Sequence, residues 1–237
     1  MSGNAALIVA HGQPSAPGIA EQYLGQLARQ VAALMPGWRV GSATLAAEGA
    51  LGVALTGLGP TGVVFPLFMA GGWFTRVQLP SRLAANGGAG WRVLEPFGCD
   101  PAVQELAVRI AVEAGSDEVI LAAHGSGKSA VPADVAERVA GLIRAAGLRA
   151  RIGLIDQVPR LEDLGGHGPG AVCLPFFAAE GGHVSEDIPA ALERAGFQGR
   201  ILPAIGLHTA VPGLIAAAIQ RGEGVCQATC RWQTRTA

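Results

Sequence analysis

Short apolar runs rich in β-branched residues alternate along this chain with longer segments in which apolar positions recur at steps of three and four. Ala6–Ala10, Val63–Phe65, Val119–Ala123, Ile152–Ile155 and Val172–Leu174 are of the first kind, each flanked by turn residues. Near-continuous hydrophobicity over so few positions predicts strands buried on both faces of a parallel sheet. Ile19–Leu34, Pro101–Ala114, Ala133–Ala146 and Val184–Ala195 are of the second kind, with Val135, Val139, Leu142 and Ile143 marking one apolar helix face. Regular strand–helix alternation predicts an open parallel α/β sheet with helices on both faces. Ligands of such sheets bind at the loops leaving the carboxyl ends of the strands, so those loops are where chemistry is expected.

The pattern is also repeated. LIVAHGQPSAP at Leu7–Pro17 matches ILAAHGSGKSA at Ile120–Ala130, and PLFMAGGWFTRVQLP at Pro66–Pro80 matches PFFAAEGGHVSEDIP at Pro175–Pro189. Order and spacing persist between the copies, which predicts two similar α/β half-domains, 1–97 and 98–237, joined in the segment EPFGCDP (Glu95–Pro101).

Composition narrows the function classes. The 237 residues are 50% hydrophobic and 15% charged, with a formal net charge of -1, which supplies a core and excludes intrinsic disorder. Balanced charge argues against nucleic acid or an anionic membrane as partner, since both require a basic field. The mean hydropathy of +0.37 raises the question of a membrane span. The longest apolar run, Gly62 to Gly72, is too short for one and contains Pro66. The opening MSGNAALIVAHGQP has neither a basic n-region nor a cleavage site, so a cytoplasmic location is expected. Four cysteines without framework spacing fit a reducing compartment.

Three residues at predicted strand ends stand out. His124 follows a strand directly and opens the small-residue loop HGSGKS; His183 follows Gly181-Gly182 after another; Asp156 ends RIGLID between them. Two imidazoles and a carboxylate brought to one sheet edge would suit a borderline divalent ion such as Fe²⁺ or Co²⁺, with positions left open for substrate. Read singly, each has an ordinary structural alternative, a loop histidine as a hydrogen-bonded cap and Asp156 as a turn cap. Lys128 is the only lysine among 17 basic residues and lies beside Ser126 and Ser129, either as an anchor for an anionic substrate or as a solvated loop residue. HGSGKS is not a nucleotide-binding loop, because Ala122 stands where the first glycine of that motif belongs. Cys226 and Cys230 are read as buried or incidental thiols, His208 as a cap-region residue, and His167 as a loop residue without a predicted partner.

HGS after one strand, the acid–x–x–P segment IDQVP after another, and PxF…GGHxxxDIP together resemble the class II (ATP-independent) tetrapyrrole chelatases, in particular the sirohydrochlorin cobaltochelatases and ferrochelatases. The resemblance spans nearly the whole chain as two halves. It implies two chelatase-like α/β halves with the active-site cleft between them, and insertion of Co²⁺ or Fe²⁺ into a sirohydrochlorin-type tetrapyrrole in cobalamin or siroheme biosynthesis. No permanently bound cofactor is expected, and the chain is expected as a monomer or homodimer. Carried over, His124 and His183 are the catalytic and metal-binding histidines, and Asp156, where relatives have a glutamate, is the third metal residue. One histidine would act as base while the other hands over the ion, with Asp156 or Glu180 relaying protons. In the first half His11 is retained, but alignment puts Phe74 or Trp73 at the place of His183, and the counterpart of the acid falls near Thr44–Leu45. The metal site is therefore expected in the second half. His11, Ser126, Lys128, Trp73, Phe74 and Glu180 are expected against the substrate, Trp73 and Phe74 either stacking on the macrocycle or packing in the core. The alternative function is a non-catalytic tetrapyrrole or divalent-metal carrier on the same fold.

Overall fold

A computed structural model describes residues 4–14, 17–227 and 230–232. The chain forms two compact units, one of Met1–Asp100 with Thr209–Ala228 and the other of Pro101–His208 with Thr229–Ala237. Unit 1 begins with β1 (Asn4–Ala10), α1 (Pro17–Ala33), β2 (Trp38–Thr44), α2 (Ala50–Leu58), β3 (Thr61–Pro66), α3 (Leu79–Ala85) and β4 (Gly90–Val93). Its strands form an all-parallel sheet in the order β2-β1-β3-β4. Unit 2 contains α4 (Pro101–Glu113), β5 (Glu118–Ala123), α5 (Val131–Ala145), β6 (Arg149–Leu154), β7 (Val172–Pro175), α6 (Ile188–Arg194) and β8 (Arg200–Ile201). Its sheet is again all-parallel, in the order β6-β5-β7-β8. The two-sheet α/β architecture expected from the sequence is the one observed.

The apolar runs predict the central strands β1, β3, β5 and β7 and the edge strand β6. Ala6 to Val9 of β1 and Val119 to Ala122 of β5 are fully buried, because helices cover both faces of a parallel sheet. Leu7, Val9 and Val64 pack against Leu55, Leu83 and Trp91 in unit 1. In unit 2 Ile120 and Ala122 pack with Cys173, Phe177, Ile188 and Leu192. Burial pushes the Cys173 thiol up to about 12, so it behaves as a core hydrophobe.

The last helix, α7 (Val211–Arg221), follows all of the unit 2 strands yet belongs to unit 1. It packs on α1 and β3, burying Val211, Ile215 and Ile219. Behind it, Gly224 bridges antiparallel to Leu94, and Arg92 donates a hydrogen bond to the Gly222 carbonyl. A division into 1–97 and 98–237 therefore does not describe the compact units, since α7 completes the helical layer over the first sheet. Cys226 lies 3.6 Å from a carboxylate oxygen of Glu95 and Cys230 is buried. Among the described residues no helix is long and apolar enough to cross a membrane.

Candidate active site

Unit 2 brings two loops together at the carboxyl edge of its sheet. β5 ends at Ala123 and β6 at Leu154, and the parallel ladder continues beyond both: Ile155 N–H bonds to Ala123 O at 3.0 Å and Asp156 N–H to His124 O at 2.9 Å. Gly125 then turns away with φ 75°, and a Cβ there would lie 2.9 Å from Cβ of Gln157. Only glycine allows both the left-handed conformation and this approach. Ser126 N–H donates to Oε1 of Gln157 at 3.1 Å, and Lys128 N–H to Oγ of Ser126 at 3.2 Å. The histidine loop and the acid loop are thus stitched into one platform.

His183 arrives from the next loop. It is the first residue of a five-residue π-helical turn, His183–Asp187, that runs directly into α6. Wide turns of this kind insert one extra residue into a helix and often occur at functional sites. Here the turn puts the ring of His183 edge to face with that of His124, centroids 4.5 Å apart and planes at 84°. Nδ1 of His183 is 2.6 Å from Oδ2 of Asp187. Nδ1 of His124 is 3.1 Å from the Gly125 carbonyl and 3.4 Å from Oδ2 of Asp156. The neighbours of the two Nδ1 atoms are acceptors, so in the neutral ring the proton belongs on Nδ1 and Nε2 keeps its lone pair. A carboxylate behind an imidazole fixes ring orientation in the way metal-binding and proton-transferring histidines require. Both histidine side chains are about 45% exposed.

Beside the pair lies a cavity of about 250 Å³ bordered by Asp156, His183, Asp187, Arg160, Glu162 and Arg194. Glu162 accepts from Nε of Arg194 at 2.8 Å and lies 3.7 Å from Nη1 of Arg160.

Unit 1 repeats the backbone without the same side chains. Leu45 N–H bonds to Ala10 O and Ala46 N–H to His11 O, both at 3.0 Å. The counterpart of Asp156 is therefore Ala46, one residue past the Thr44–Leu45 position that spacing suggests. Phe74 opens the matching π-helical turn, Phe74–Gln78. Its ring meets His11 edge to face, centroids 5.5 Å apart at 88°, and lies 5.1 Å from Phe68. Phe74 rather than Trp73 thus takes the place of His183, while Trp73 is 66% exposed just before the turn. Desolvation, and then the Arg82 charge, hold His11 below the ordinary imidazole range.

The structure therefore brings His124, His183 and Asp156 together, with Ser126 and Lys128 in the loop of His124. Among the described residues, however, no three His, Cys, Asp or Glu side chains are grouped to hold one metal ion. Asp156 lies on the Nδ1 side of His124. Glu180 is exposed and forms no hydrogen bond or ion pair among the described residues. Asp187 and Gln157 were not singled out from sequence, although the i,i+4 spacing of His183 and Asp187 on a helical turn is a readable signal. His167 does have a partner: Nη2 of Arg151 donates to its Nδ1 at 2.7 Å, remote from the site at the start of β6. His208 follows a short 3-10 turn, Ile205–Leu207.

Comparison with known proteins identifies relatives of this chain. The CbiX family model matches residues 118–222. A solved structure of CbiX, described as the terminal enzyme for biosynthesis of siroheme in denitrifying bacteria, is 41% identical; the match covers 92% of this chain and 99% of that one, with a TM-score of 0.86. SirB from Bacillus subtilis with Fe³⁺ is 14% identical, covering 92% and 95% of the two chains at a TM-score of 0.71. The sirohydrochlorin chelatase SirB from Bacillus subtilis subspecies spizizenii in complex with cobalt is 14% identical, covering 92% and 94% at 0.68. These two show the shared fold. No curated protein sequence matches the chain.

Proposed function

Because the chain belongs to the CbiX family of class II chelatases, we propose that it inserts a divalent metal ion into sirohydrochlorin at the His124–His183 platform of unit 2. The observation that carries this reading is the edge-to-face pair of imidazoles, each with Nδ1 turned to a carboxylate and Nε2 left free. Insertion requires a group that passes the ion to the macrocycle and a group that takes protons from its inner nitrogens. A neutral imidazole does either at neutral pH. In this assignment Nε2 of His124 hands over the ion and Nε2 of His183 accepts the proton, and Asp187 compensates the charge that His183 acquires. Asp156 orients His124 and passes protons outward, in place of the direct ligand role its position in the sequence suggests.

Siroheme carries iron, so the likeness to the siroheme-forming CbiX favours Fe²⁺ as the physiological ion, with Co²⁺ as the alternative substrate. Ser126 and Lys128 are assigned to the rim that meets the carboxylates of the macrocycle, Glu180 to proton exit, and the reaction to the cytoplasm. The test is metal insertion into sirohydrochlorin followed by absorbance, with Fe²⁺ or Co²⁺ and no ATP. Many turnovers per chain, lost in His183→Ala, support the assignment. Stoichiometric binding without turnover identifies a carrier, and no spectral response removes the tetrapyrrole reading.

A further inference from the structure

Corresponding structural positions carry different charges in the two units. In unit 2 the π-helical turn begins with His183 and ends with Asp187, Asp156 is bonded to the carbonyl of the strand-end histidine, and the fourth residue of α6 is Ala191. In unit 1 the corresponding residues are Phe74, Gln78, Ala46 and, as the fourth residue of α3, Arg82. Both carboxylates have gone, one imidazole has become a phenyl ring, and a guanidinium has entered.

Arg82 also occupies the corresponding space. Ala191 and Ile155 border the cavity beside His183. In unit 1 Nη1 of Arg82 reaches the carbonyl of Leu45, the counterpart of Ile155, at 3.1 Å. That one bond leaves most of the guanidinium donors available. Among the described residues no carboxylate forms an ion pair with Arg82. Glu21, the carboxylate bound to this end of the sheet, accepts from Thr44 N–H. The charge of Arg82 acts on His11, whose ring packs against Phe74.

We propose that the unit 1 copy of the site has been converted from a cation site to an anion site, in which Arg82, with His11 beside it and Phe74 as its apolar wall, receives a carboxylate of the substrate. The proposal rests on the sirohydrochlorin reading above for the source of that carboxylate. A planar guanidinium suits a carboxylate through paired N–H donors.

The test is binding of metal-free sirohydrochlorin to the full chain, followed by tryptophan fluorescence, for the unaltered protein, Arg82→Ala and Arg82→Lys. Arg82→Ala is expected to weaken binding roughly 10- to 100-fold, and Arg82→Lys to restore part of the loss. Equal affinity of Arg82→Ala and the unaltered chain overturns the proposal. A second measurement needs no macrocycle: succinate is titrated while the His11 ring resonances are observed by NMR. Shifts that disappear in Arg82→Ala support the anion site, and their absence in the unaltered chain overturns it. Failure of the unaltered chain to bind sirohydrochlorin would overturn the chelatase reading, and the succinate titration would then decide the anion site alone.

Discussion

His183 donates its Nδ1–H to Asp187 across 2.6 Å, within one π-helical turn. Asp187 is itself half exposed, so a polar substitution there is expected to cost the fold little. Replacing it by Asn keeps a hydrogen-bond partner but removes the charge. Asp187→Asn is expected to lower insertion roughly 10- to 100-fold with an unchanged thermal midpoint. Steady-state kinetics against metal and macrocycle separately check this, and a loss confined to KM for the macrocycle contradicts it.

The asymmetry between units predicts unequal effects for the three strand-end histidines. His124→Ala and His183→Ala are expected to lower turnover by roughly 10²- to 10⁴-fold, as expected for loss of a proton-transfer group. His11→Ala is expected to slow it modestly, because Phe74 and Ala46 leave His11 without the partners its counterpart has. Initial rates for the three variants decide it, and equal losses would show that both units supply reacting groups.

Gly125→Ala tests the stitching of the two loops. The added methyl group meets Gln157 and Leu154 at 2.9 and 3.2 Å, on a backbone with φ 75°. A cost of about 1–3 kcal/mol is expected, with reduced insertion, because His124 and Asp156 move together. Gly127→Ala has open space around it and is the neutral control. Urea unfolding of both variants gives the comparison.

His167 predicts an acid-sensitive contribution to stability. Arg151 can only donate, so Nδ1 of His167 accepts and the proton sits on Nε2. Desolvation and then the Arg151 charge hold His167 below its ordinary value of 6.5, against the opposing pull of Glu118. The unfolded chain thus binds more protons than the folded one below pH 6.5. The stability from a neutral His167 is present above that value and lost as pH falls through it toward the lower folded value. His167→Gln is expected to flatten this part of the stability–pH curve, measured by urea unfolding across the window. An unchanged slope counts against the assignment.

The sequence made the central strands and the duplication legible because burial on both faces forces continuous apolar runs such as Leu7–Val9 and Val119–Ala122. Among the edge strands only β6 was legible, through Ile152–Ile155, and β2, β4 and β8 were silent. GWRV of β4 alternates exposed and buried residues, and the two residues of β8 are both exposed. Val184–Ala195 reads as one helix, but its first turn is π-helical and begins at His183. One inserted residue leaves the surrounding apolar period almost unchanged, so the pattern does not show the widened turn. The histidines and Asp156 were legible as strand-end residues. The choice between Trp73 and Phe74 was not, because it depends on which residue opens the turn.

The return of α7 to unit 1 sets an order of events during synthesis. Every strand of unit 2 leaves the ribosome before the helix that covers α1 and β3. Until then the first sheet waits with one helical layer incomplete, although its four strands were made first. The older half of the nascent chain is thus the later to be finished, and a stalled chain ending before Val211 would expose its apolar layer to chaperones.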